Sequence, residues 1–239
     1  MEIDGEVLVL GGTSGIGLAT AKFLQNTKCN IWVAGRDITR GEVEDIKAIQ
    51  CDVLSESSVE NCLETVSKSG LLAGLVYSVG ITVPKRSIGE FDAQTWLNVV
   101  NTNVTGLLFV LKYAFPHLMQ AKGSVVVVNS LAGRTYSKSS GVEYTASKAA
   151  LGGVVRHLAM DWAKKGVRIN SVYPGPVDSP MLRNNVLEED IQTLESNVPL
   201  GRLTSTDDLA KVIAFLLDKR NAYLTGVGLD VSGGEVLSG

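Results

Sequence analysis

The sequence predicts an α/β fold in which helices cover both faces of a parallel, doubly wound sheet of about seven strands. Short runs rich in β-branched residues alternate with longer helical stretches along the whole chain. This alternation predicts parallel strands, because each crossover helix returns the chain to the same end of the sheet. No linker or internal repeat interrupts the pattern, so we expect residues 1–239 to form one domain.

The positions of the expected strands and helices follow from these runs. Strands are predicted at residues 7–10, 31–34, 46–51, 75–79, 125–129, 167–173 and 227–231, and helices at roughly 15–27, 56–68, 92–120, 143–165 and 207–218. Ser55, Asp92 and Thr206 precede helical stretches and are predicted to cap them. A doubly wound sheet binds its ligand at the carboxyl ends of the strands, where the winding reverses.

Composition favours a cytoplasmic globular protein. The chain is 45% hydrophobic and 20% charged, as is usual for a protein with a large core. Its net charge of −3 argues against nucleic acid or a membrane surface as the main partner. The 3 cysteines form no C-x-x-C pair, which suits reduced thiols. We expect neither a signal peptide nor a membrane span, since no apolar run approaches about 18 residues.

A glycine-rich turn follows the first predicted strand and opens the first predicted helix. Its sequence is Gly11-Gly12-Thr13-Ser14-Gly15-Ile16-Gly17. Glycines here let a pyrophosphate approach the helix N-terminus, whose amides and dipole favour negative charge. The spacing differs from the usual dinucleotide fingerprint, and a tight strand–helix connection is the plainer interpretation. Its position at the head of a βαβ unit favours nucleotide binding.

The end of the second strand, Gly35-Arg36-Asp37, bears on which dinucleotide would bind. An acid at this place binds the adenosine ribose, whereas an arginine accommodates a 2′-phosphate. Arg36 can pair with phosphate through its guanidinium fork, which favours NADP(H). In the alternative, Arg36 is a solvated charge and Asp37 binds the ribose of NAD(H).

Tyr144 and Lys148 are four residues apart and share a helix face. The pKa of a free phenol is roughly 10, and a nearby cation should lower it. The pair could therefore supply a proton near neutral pH. The spacing also arises readily by chance, so neighbouring motifs have to decide between chemistry and a solvated helix face.

Several further motifs, in the right order, make the chain resemble the classical short-chain dehydrogenases/reductases over nearly its whole length. Ser130 stands at the end of a predicted strand, 14 residues before Tyr144. The other matches are Asn103 in Asn103-Val104-Thr105-Gly106, Asp52-Val53, Pro174-Gly175-Pro176-Val177 and Ser232-Gly233-Gly234. The resemblance implies a Rossmann-type fold, and the general layout is similar to 3-oxoacyl-(acyl-carrier-protein) reductases.

The chain departs from the family pattern at two places. Leu10 stands where a threonine usually precedes the first glycine, and Ser78-Val79-Gly80 stands for Asn-Ala-Gly. Since those family residues mostly brace the sheet and the cofactor's edge, we expect an altered hydrogen-bond network with activity kept.

The resemblance implies hydride transfer between the nicotinamide of NADP(H) and a carbonyl or secondary alcohol. Tyr144 would be the general acid or base, and Ser130 would donate a hydrogen bond to the reacting oxygen. Lys148 would also bond the nicotinamide ribose. Asn103 would hold a water in a proton relay, unless its amide is satisfied within its own helix. The implied cofactor-binding residues are Gly11, Thr13, Ser14, Gly15, Ile16, Gly17, Arg36, Asp52, Val53, Ser78, Gly80, Tyr144, Lys148, Pro174, Gly175 and Val177.

Substrate and partners are less determined by the sequence. Substrate-facing segments are expected at 82–86, 131–140 and 179–200, the last as a mobile lid. No metal is expected, because His117 and His157 show no ligand spacing. Gly152 and Gly153 indicate close approach of another backbone to their helix. The resemblance implies that this helix packs in a homodimer or homotetramer, and the alternative is packing on the protein's own sheet. An NAD-dependent alcohol or sugar dehydrogenase and a non-catalytic dinucleotide sensor remain alternatives.

Overall fold

A computed structural model describes residues 1–39, 46–85 and 87–236. Its strands are β1 (Glu6–Leu10), β2 (Asn30–Gly35), β3 (Lys47–Gln50), β4 (Leu72–Tyr77), β5 (Ser124–Val128), β6 (Arg168–Pro174) and β7 (Gly228–Val231). Its α-helices are α1 (Gly15–Leu24), α2 (Glu56–Ser69), α3 (Ala93–Val100), α4 (Gly106–Ala121), α5 (Val142–Trp162), α6 (Pro180–Asn185), α7 (Glu188–Ser196) and α8 (Thr206–Leu217).

The strands form one parallel sheet in the order β3-β2-β1-β4-β5-β6-β7. The predicted fold class is confirmed, and each predicted strand is present with an end shifted by a few residues at most. Because the chain crosses from β3 over β2 and β1 to reach β4, the winding reverses between β1 and β4. A cleft for a ligand is expected at that point, at the carboxyl ends of the strands.

Two apolar layers cover the sheet. Val125 and Val127 face the cluster that includes residues of α2, α4 and α5, whereas Val126 and Val128 face the cluster formed with α1 and α8. Side chains of a strand alternate between its faces, so a strand covered on both faces is apolar at every position. This arrangement explains the unbroken valine run of β5.

The stretch predicted as one helix at 92–120 is helical almost throughout, but it is not α-helical over its whole length. A π-helical turn, Asn101–Thr105, separates α3 from α4, and the N–H of Gly106 donates to the carbonyl of Asn101. The buried hydroxyl of Tyr77 donates to the carbonyl of Thr102 at 2.9 Å. Single π-helical turns of this kind often mark functional sites.

Two of the three predicted helix caps are confirmed. Ser55 accepts a hydrogen bond from the N–H of Ser58, and Asp92 accepts one from that of Thr95. The prediction for Thr206 is wrong, because Ser205 caps α8 by a reciprocal pair of bonds with Asp208. In the part of the chain that the model describes, no helix has the length and apolar character needed to cross a membrane.

Candidate active site

The glycine turn between β1 and α1 is shaped by close backbone contacts. Gly11 has a φ of 75°, and a Cβ there would lie 2.7 Å from the carbonyl oxygen of Ser78. A Cβ at Gly17 would overlap the carbonyl oxygen of Gly11. Gly15 has a φ of 51°, and a Cβ there would meet nothing within 4 Å. Gly11 and Gly17 thus permit the turn itself, while Gly15 leaves open space in front of the helix N-terminus.

A cavity of 330 Å³ opens in front of this turn, at the reversal point of the sheet. It reaches from the start of α1 past the ends of β2 and β3 to the end of β4. Predicted cofactor-binding residues that line it are Gly11, Thr13, Ser14, Gly15, Ile16, Arg36, Asp52, Val53, Ser78 and Gly80. A dinucleotide fits these residues, because the free amides of a helix N-terminus and an open glycine suit its pyrophosphate.

Arg36 and Asp37 are placed differently at the outer end of this cavity. Arg36 is exposed and lines it. Asp37 is absent from the lining, and its carboxylate accepts hydrogen bonds from the N–H and hydroxyl of Thr39, at 3.1 and 2.6 Å. Asp52 lines the cavity while one of its oxygens accepts a bond from the N–H of Leu54 at 3.0 Å.

Ser130, Tyr144 and Lys148 come together where β5 ends and α5 begins. The hydroxyls of Ser130 and Tyr144 are hydrogen-bonded to each other. The Nζ of Lys148 lies 5.6 Å from the centre of the Tyr144 ring and donates to the carbonyl of Val128 at 3.0 Å. Ser130 also accepts a bond from the N–H of Ala132 at 3.1 Å, which fixes its hydroxyl at the end of the strand.

Burial dominates the electrostatics of this cluster. It raises the pKa of the Tyr144 phenol, and the hydrogen bond with Ser130 opposes that rise. Burial also lowers the pKa of Lys148 to about 8. The predicted lowering of the Tyr144 pKa by Lys148 is therefore not found in this structure, where burial raises that pKa.

Asn103 lies in the π-helical turn and is fully buried. Its Oδ1 accepts from the N–H of Ile81 at 2.8 Å, and its Nδ2 donates to the carbonyl of Ile81 at 3.0 Å and to the hydroxyl of Ser147 at 2.9 Å. The amide therefore ties three elements together. The alternative that this side chain is satisfied within its own helix is wrong, since its partners lie on other segments.

A second cavity of 160 Å³ adjoins the first, with Ile16, Ser179 and Met181 lining both. Its walls include Tyr144 and the predicted nicotinamide-side residues Pro174, Gly175 and Val177. Residues from all three predicted substrate-facing segments also line it, among them Thr82, Ser137 and Leu182. Arg86, at the end of the first of these segments, lies outside the described residues.

The predicted lid at 179–200 contains two helices, α6 and α7, and residues in and beside α6 line both cavities. Ser179 caps α6, with its hydroxyl accepting from the N–H of Leu182. Met181 faces both cavities, while Leu182 and Val186 form an apolar wall of the second. Residues at the start of the predicted lid thus form part of the same cavity wall as Tyr144.

Comparison with known proteins agrees with this geometry. A family model described as enoyl-(acyl carrier protein) reductase matches residues 11–235. The chain belongs to the short-chain dehydrogenase/reductase family. Short-chain dehydrogenases/reductases are oxidoreductases that use a nicotinamide dinucleotide, act on small molecules and usually form oligomers. The family resemblance predicted from the motifs is confirmed.

Individual relatives span essentially the whole chain. It is 32% identical to a 3-oxoacyl-(acyl-carrier-protein) reductase of Bos taurus, over 99% of this chain and 100% of the relative. It is 31% identical to cis-4-hydroxycyclohexanecarboxylate dehydrogenase of Sinomonas cyclohexanicum, over 95% and 94%. The solved structure of ligand-free aldohexose dehydrogenase from Thermoplasma acidophilum shares the fold, with a TM-score of 0.89, 24% identity and coverage of 99% and 97%.

The two glycines of α5 in this short-chain dehydrogenase/reductase differ in how closely other residues pack against them. A Cβ at Gly152 would lie 2.7 Å from the hydroxyl oxygen of Tyr173 in β6. A Cβ at Gly153 would meet nothing within 4 Å. Gly152 is therefore explained by packing on the protein's own sheet, and Gly153 leaves a smooth outer face on the helix.

Sequence reasoning missed several residues of the site in this short-chain dehydrogenase/reductase. Asn129, Ile81 and Thr102 line the cavities or contact site residues, and none of them belongs to a recognised motif. Their common signal is position, since each lies beside a predicted site residue at the carboxyl edge of the sheet. Across residues 1–39, 46–85 and 87–236, no group of three or more His, Cys, Asp or Glu could hold a metal ion.

Proposed function

We propose that this short-chain dehydrogenase/reductase reduces the carbonyl group of a small molecule with NADPH, with Tyr144 as the general acid. The observation that carries the proposal is the cluster of Ser130, Tyr144 and Lys148 beside the second cavity. Tyr144 lines that cavity. Lys148 lies next to Gly80, which lines the first cavity. A proton donor therefore faces the place where a substrate can meet a dinucleotide.

The cofactor site follows from the lining of the two cavities. The glycine turn would hold the pyrophosphate, and Asp52 and Val53 would border the adenine. Pro174, Gly175 and Val177 would place the nicotinamide beside Tyr144 in the second cavity. When bound, the reduced nicotinamide supplies the hydride. Lys148 is also proposed to bond the nicotinamide ribose, since its Nζ lies 3.5 Å from where a Cβ of Gly80 would stand.

The protein's own residues manage the proton and the developing charge. Negative charge grows on the substrate oxygen as its carbon is reduced, and the Ser130 hydroxyl, already fixed by Ala132, can donate a hydrogen bond to it. The Tyr144 hydroxyl then gives its proton to that oxygen. With a pKa of about 8, Lys148 is mostly charged at neutral pH and can stabilise the phenolate that remains.

Asn103 is proposed as a positioning residue rather than as a side-chain water ligand. The relay proposed from sequence needs a free amide, but all of the amide's hydrogens are donated, to Ile81 and Ser147. Through Ser147 it connects the π-helical turn to the helix that carries the catalytic pair. Any water on a path to Lys148 would have to bind another group of this turn.

NADP(H) is proposed over NAD(H) because of the outer end of the first cavity. Arg36 lines it and can pair with a 2′-phosphate, whereas Asp37 is turned to Thr39. An NAD-dependent dehydrogenase acting on a secondary alcohol is the second candidate. It is favoured by the likeness to cis-4-hydroxycyclohexanecarboxylate dehydrogenase, and a turn of the exposed Asp37 toward a ribose would permit it.

Assembly and location are proposed along the same lines. A homodimer or homotetramer is supported by the smooth outer face of α5, where Gly153 is open and Met160 is 82% exposed. A cytoplasmic location is supported by Cys29, Cys51 and Cys62, all of which are free.

A substrate panel tests the proposed function. Purified protein is mixed with ketones, aldehydes, 3-oxoacyl thioesters and secondary alcohols, each with both dinucleotides, while the absorbance of reduced nicotinamide is followed. We expect carbonyl-dependent loss of NADPH. Turnover of alcohols with NAD alone would favour the second candidate, and dinucleotide binding without turnover of any compound would favour a sensor.

A further inference from the structure

Asn129 directly follows β5 and precedes Ser130, and it is only 3% exposed. Its Oδ1 accepts a hydrogen bond from the N–H of Ser130 at 3.0 Å, so the orientation of the amide is defined. Its Nδ2 has no hydrogen-bond partner among the described residues. Half of this buried amide is thus used to hold Ser130, and the other half is unpaired.

Leaving a buried N–H group unpaired is destabilising, and a ligand that accepts its hydrogen bond would offset that cost. The hydroxyl of Ser171 in β6 is also buried and unpaired, but Ser171 lines neither cavity. Asn129 differs because it lines the second cavity together with Tyr144. Its unpaired donor therefore belongs to a side chain that borders a space a ligand can fill.

The chemistry of the partner follows from the donor and from the walls. An N–H donor requires an acceptor, and none of the described residues that line the second cavity is charged. Its polar lining consists of hydroxyls and amides, such as those of Thr82, Ser140 and Asn185. Such a site suits an uncharged oxygen, since a carboxylate or phosphate there would lack a counter-charge.

We propose that Asn129 is a ligand-binding residue whose Nδ2 donates a hydrogen bond to an uncharged carbonyl, amide or hydroxyl oxygen in the second cavity. The proposal rests on the proposed function and adds a second anchor beside the oxygen that Tyr144 protonates. Two sources offer such an oxygen. One is a second oxygen of the substrate, as in a hydroxyketone, and the other is the carboxamide of the nicotinamide.

Two variants remove the donor in different ways. Asn129→Asp keeps the acceptor for the N–H of Ser130 and replaces the donor by a carboxylate oxygen. Asn129→Leu has a similar volume, adds no charge and removes both functions, so it serves if the aspartate variant does not fold. Ser171→Ala is the matched control, because it deletes a buried unpaired group outside the cavities. The readouts are the Kd for NADPH from cofactor fluorescence, KM and kcat with the best carbonyl substrate, and Tm.

We expect both Asn129 variants to weaken binding by roughly tenfold or more, the loss of one well-placed hydrogen bond, while Ser171→Ala changes neither Kd nor KM. A higher Kd for NADPH assigns the oxygen to the nicotinamide, and a higher KM at unchanged Kd assigns it to the substrate. Unchanged Kd and KM in either folded variant, or a change in Tm or kcat alone, would overturn the proposal. A wild-type protein that binds no dinucleotide would instead refute the proposed function, so the two failures are distinct.

Discussion

The Nδ2 of Asn103 donates a 2.9 Å hydrogen bond to the hydroxyl of Ser147, and this bond joins the π-helical turn to the helix of Tyr144 and Lys148. The Ser147 hydroxyl passes the connection on by donating to the carbonyl of Tyr144 at 2.8 Å. Tyr144 and Lys148 are therefore tied to a turn that lies 41 residues earlier in the sequence, counted from Asn103 to Tyr144.

Replacing Ser147 with alanine should lower kcat several-fold while leaving the Kd for NADPH unchanged. The variant removes the bond from Asn103 and leaves one buried N–H unpaired, which costs roughly 1–3 kcal/mol of unfolding free energy. Steady-state kinetics and urea unfolding measure the two effects. Ser67→Ala is a suitable control because it removes a buried, unpaired hydroxyl on α2, away from the site. Wild-type kcat in Ser147→Ala would show that the bond does not position the pair.

Replacing Arg36 with alanine should weaken NADPH binding by roughly tenfold and leave NADH binding nearly unchanged. A charge-assisted bond to the 2′-phosphate would be lost, and such bonds contribute about 1.5–3 kcal/mol. Titration of both reduced cofactors by fluorescence gives the ratio of the two losses. Equal loss for both cofactors would contradict the phosphate assignment and favour the NAD-dependent candidate.

Alanine at Gly152 and at Gly153 should change stability in opposite directions. At Gly152 the new Cβ would press on the Tyr173 hydroxyl, and overpacking of this kind costs roughly 1–3 kcal/mol. The Tyr173 ring cannot swing aside easily, because the Arg134 guanidinium stacks on it at 4.1 Å. At Gly153 the space within one subunit is open, so alanine should stabilise the helix of the isolated subunit by roughly 1 kcal/mol.

Thermal and urea unfolding of the two variants measure this contrast. Adding Tyr173→Phe to Gly152→Ala should restore part of the lost stability, since the contacting oxygen is removed. If Gly152→Ala were as stable as Gly153→Ala, the packing of α5 on β6 would not be what excludes a side chain at position 152.

The buried Lys148 should make stability increase with pH between about 8 and 10. Its pKa is about 8 in the folded protein and 10.5 in the unfolded chain, so in this range the unfolded chain binds the additional proton and unfolding becomes less favourable as pH rises. Above pH 10 the raised pKa of Tyr144 acts in the opposite sense, because the unfolded chain loses its phenol proton first.

Urea unfolding at pH 7.5 and at pH 9.5 measures this dependence. Lys148→Met keeps the length of the side chain without its titration, and its stability should rise less over the same interval than that of the wild type. Parallel curves for the two proteins would mean that Lys148 is hydrated and titrates normally in the folded state.

The fold and the meeting of Tyr144 with Lys148 could be predicted because their signals are local. The valine run of β5 is readable from sequence because side chains alternate between the two faces of a strand and both faces of β5 are buried. Tyr144 and Lys148 are readable because residues four apart lie on the same face of a helix. The glycine turn is also visible in one short stretch of sequence, although the contact that excludes a side chain at Gly11 comes from Ser78, beyond the distant strand β4.

The features that sequence missed depend on contacts between distant segments. The π-helical turn depends on a bond from Tyr77 to Thr102, and the role of Asn103 depends on Ile81 and Ser147. The prediction for the Tyr144 pKa was wrong for a similar reason. Spacing places a cation near the phenol, whereas the amount of burial, which determines the shift, results from the whole fold.

The substitution Tyr144→Phe tests the central claim most directly. The variant keeps the ring and its packing and removes only the proton donor. With NADPH and the best substrate of the panel, we predict that kcat falls by roughly 10²–10⁴-fold or more, while the Kd for NADPH stays within about twofold of the wild-type value. A Tyr144→Phe protein that reduces the carbonyl at a near-normal rate would contradict the assignment of Tyr144 as the general acid.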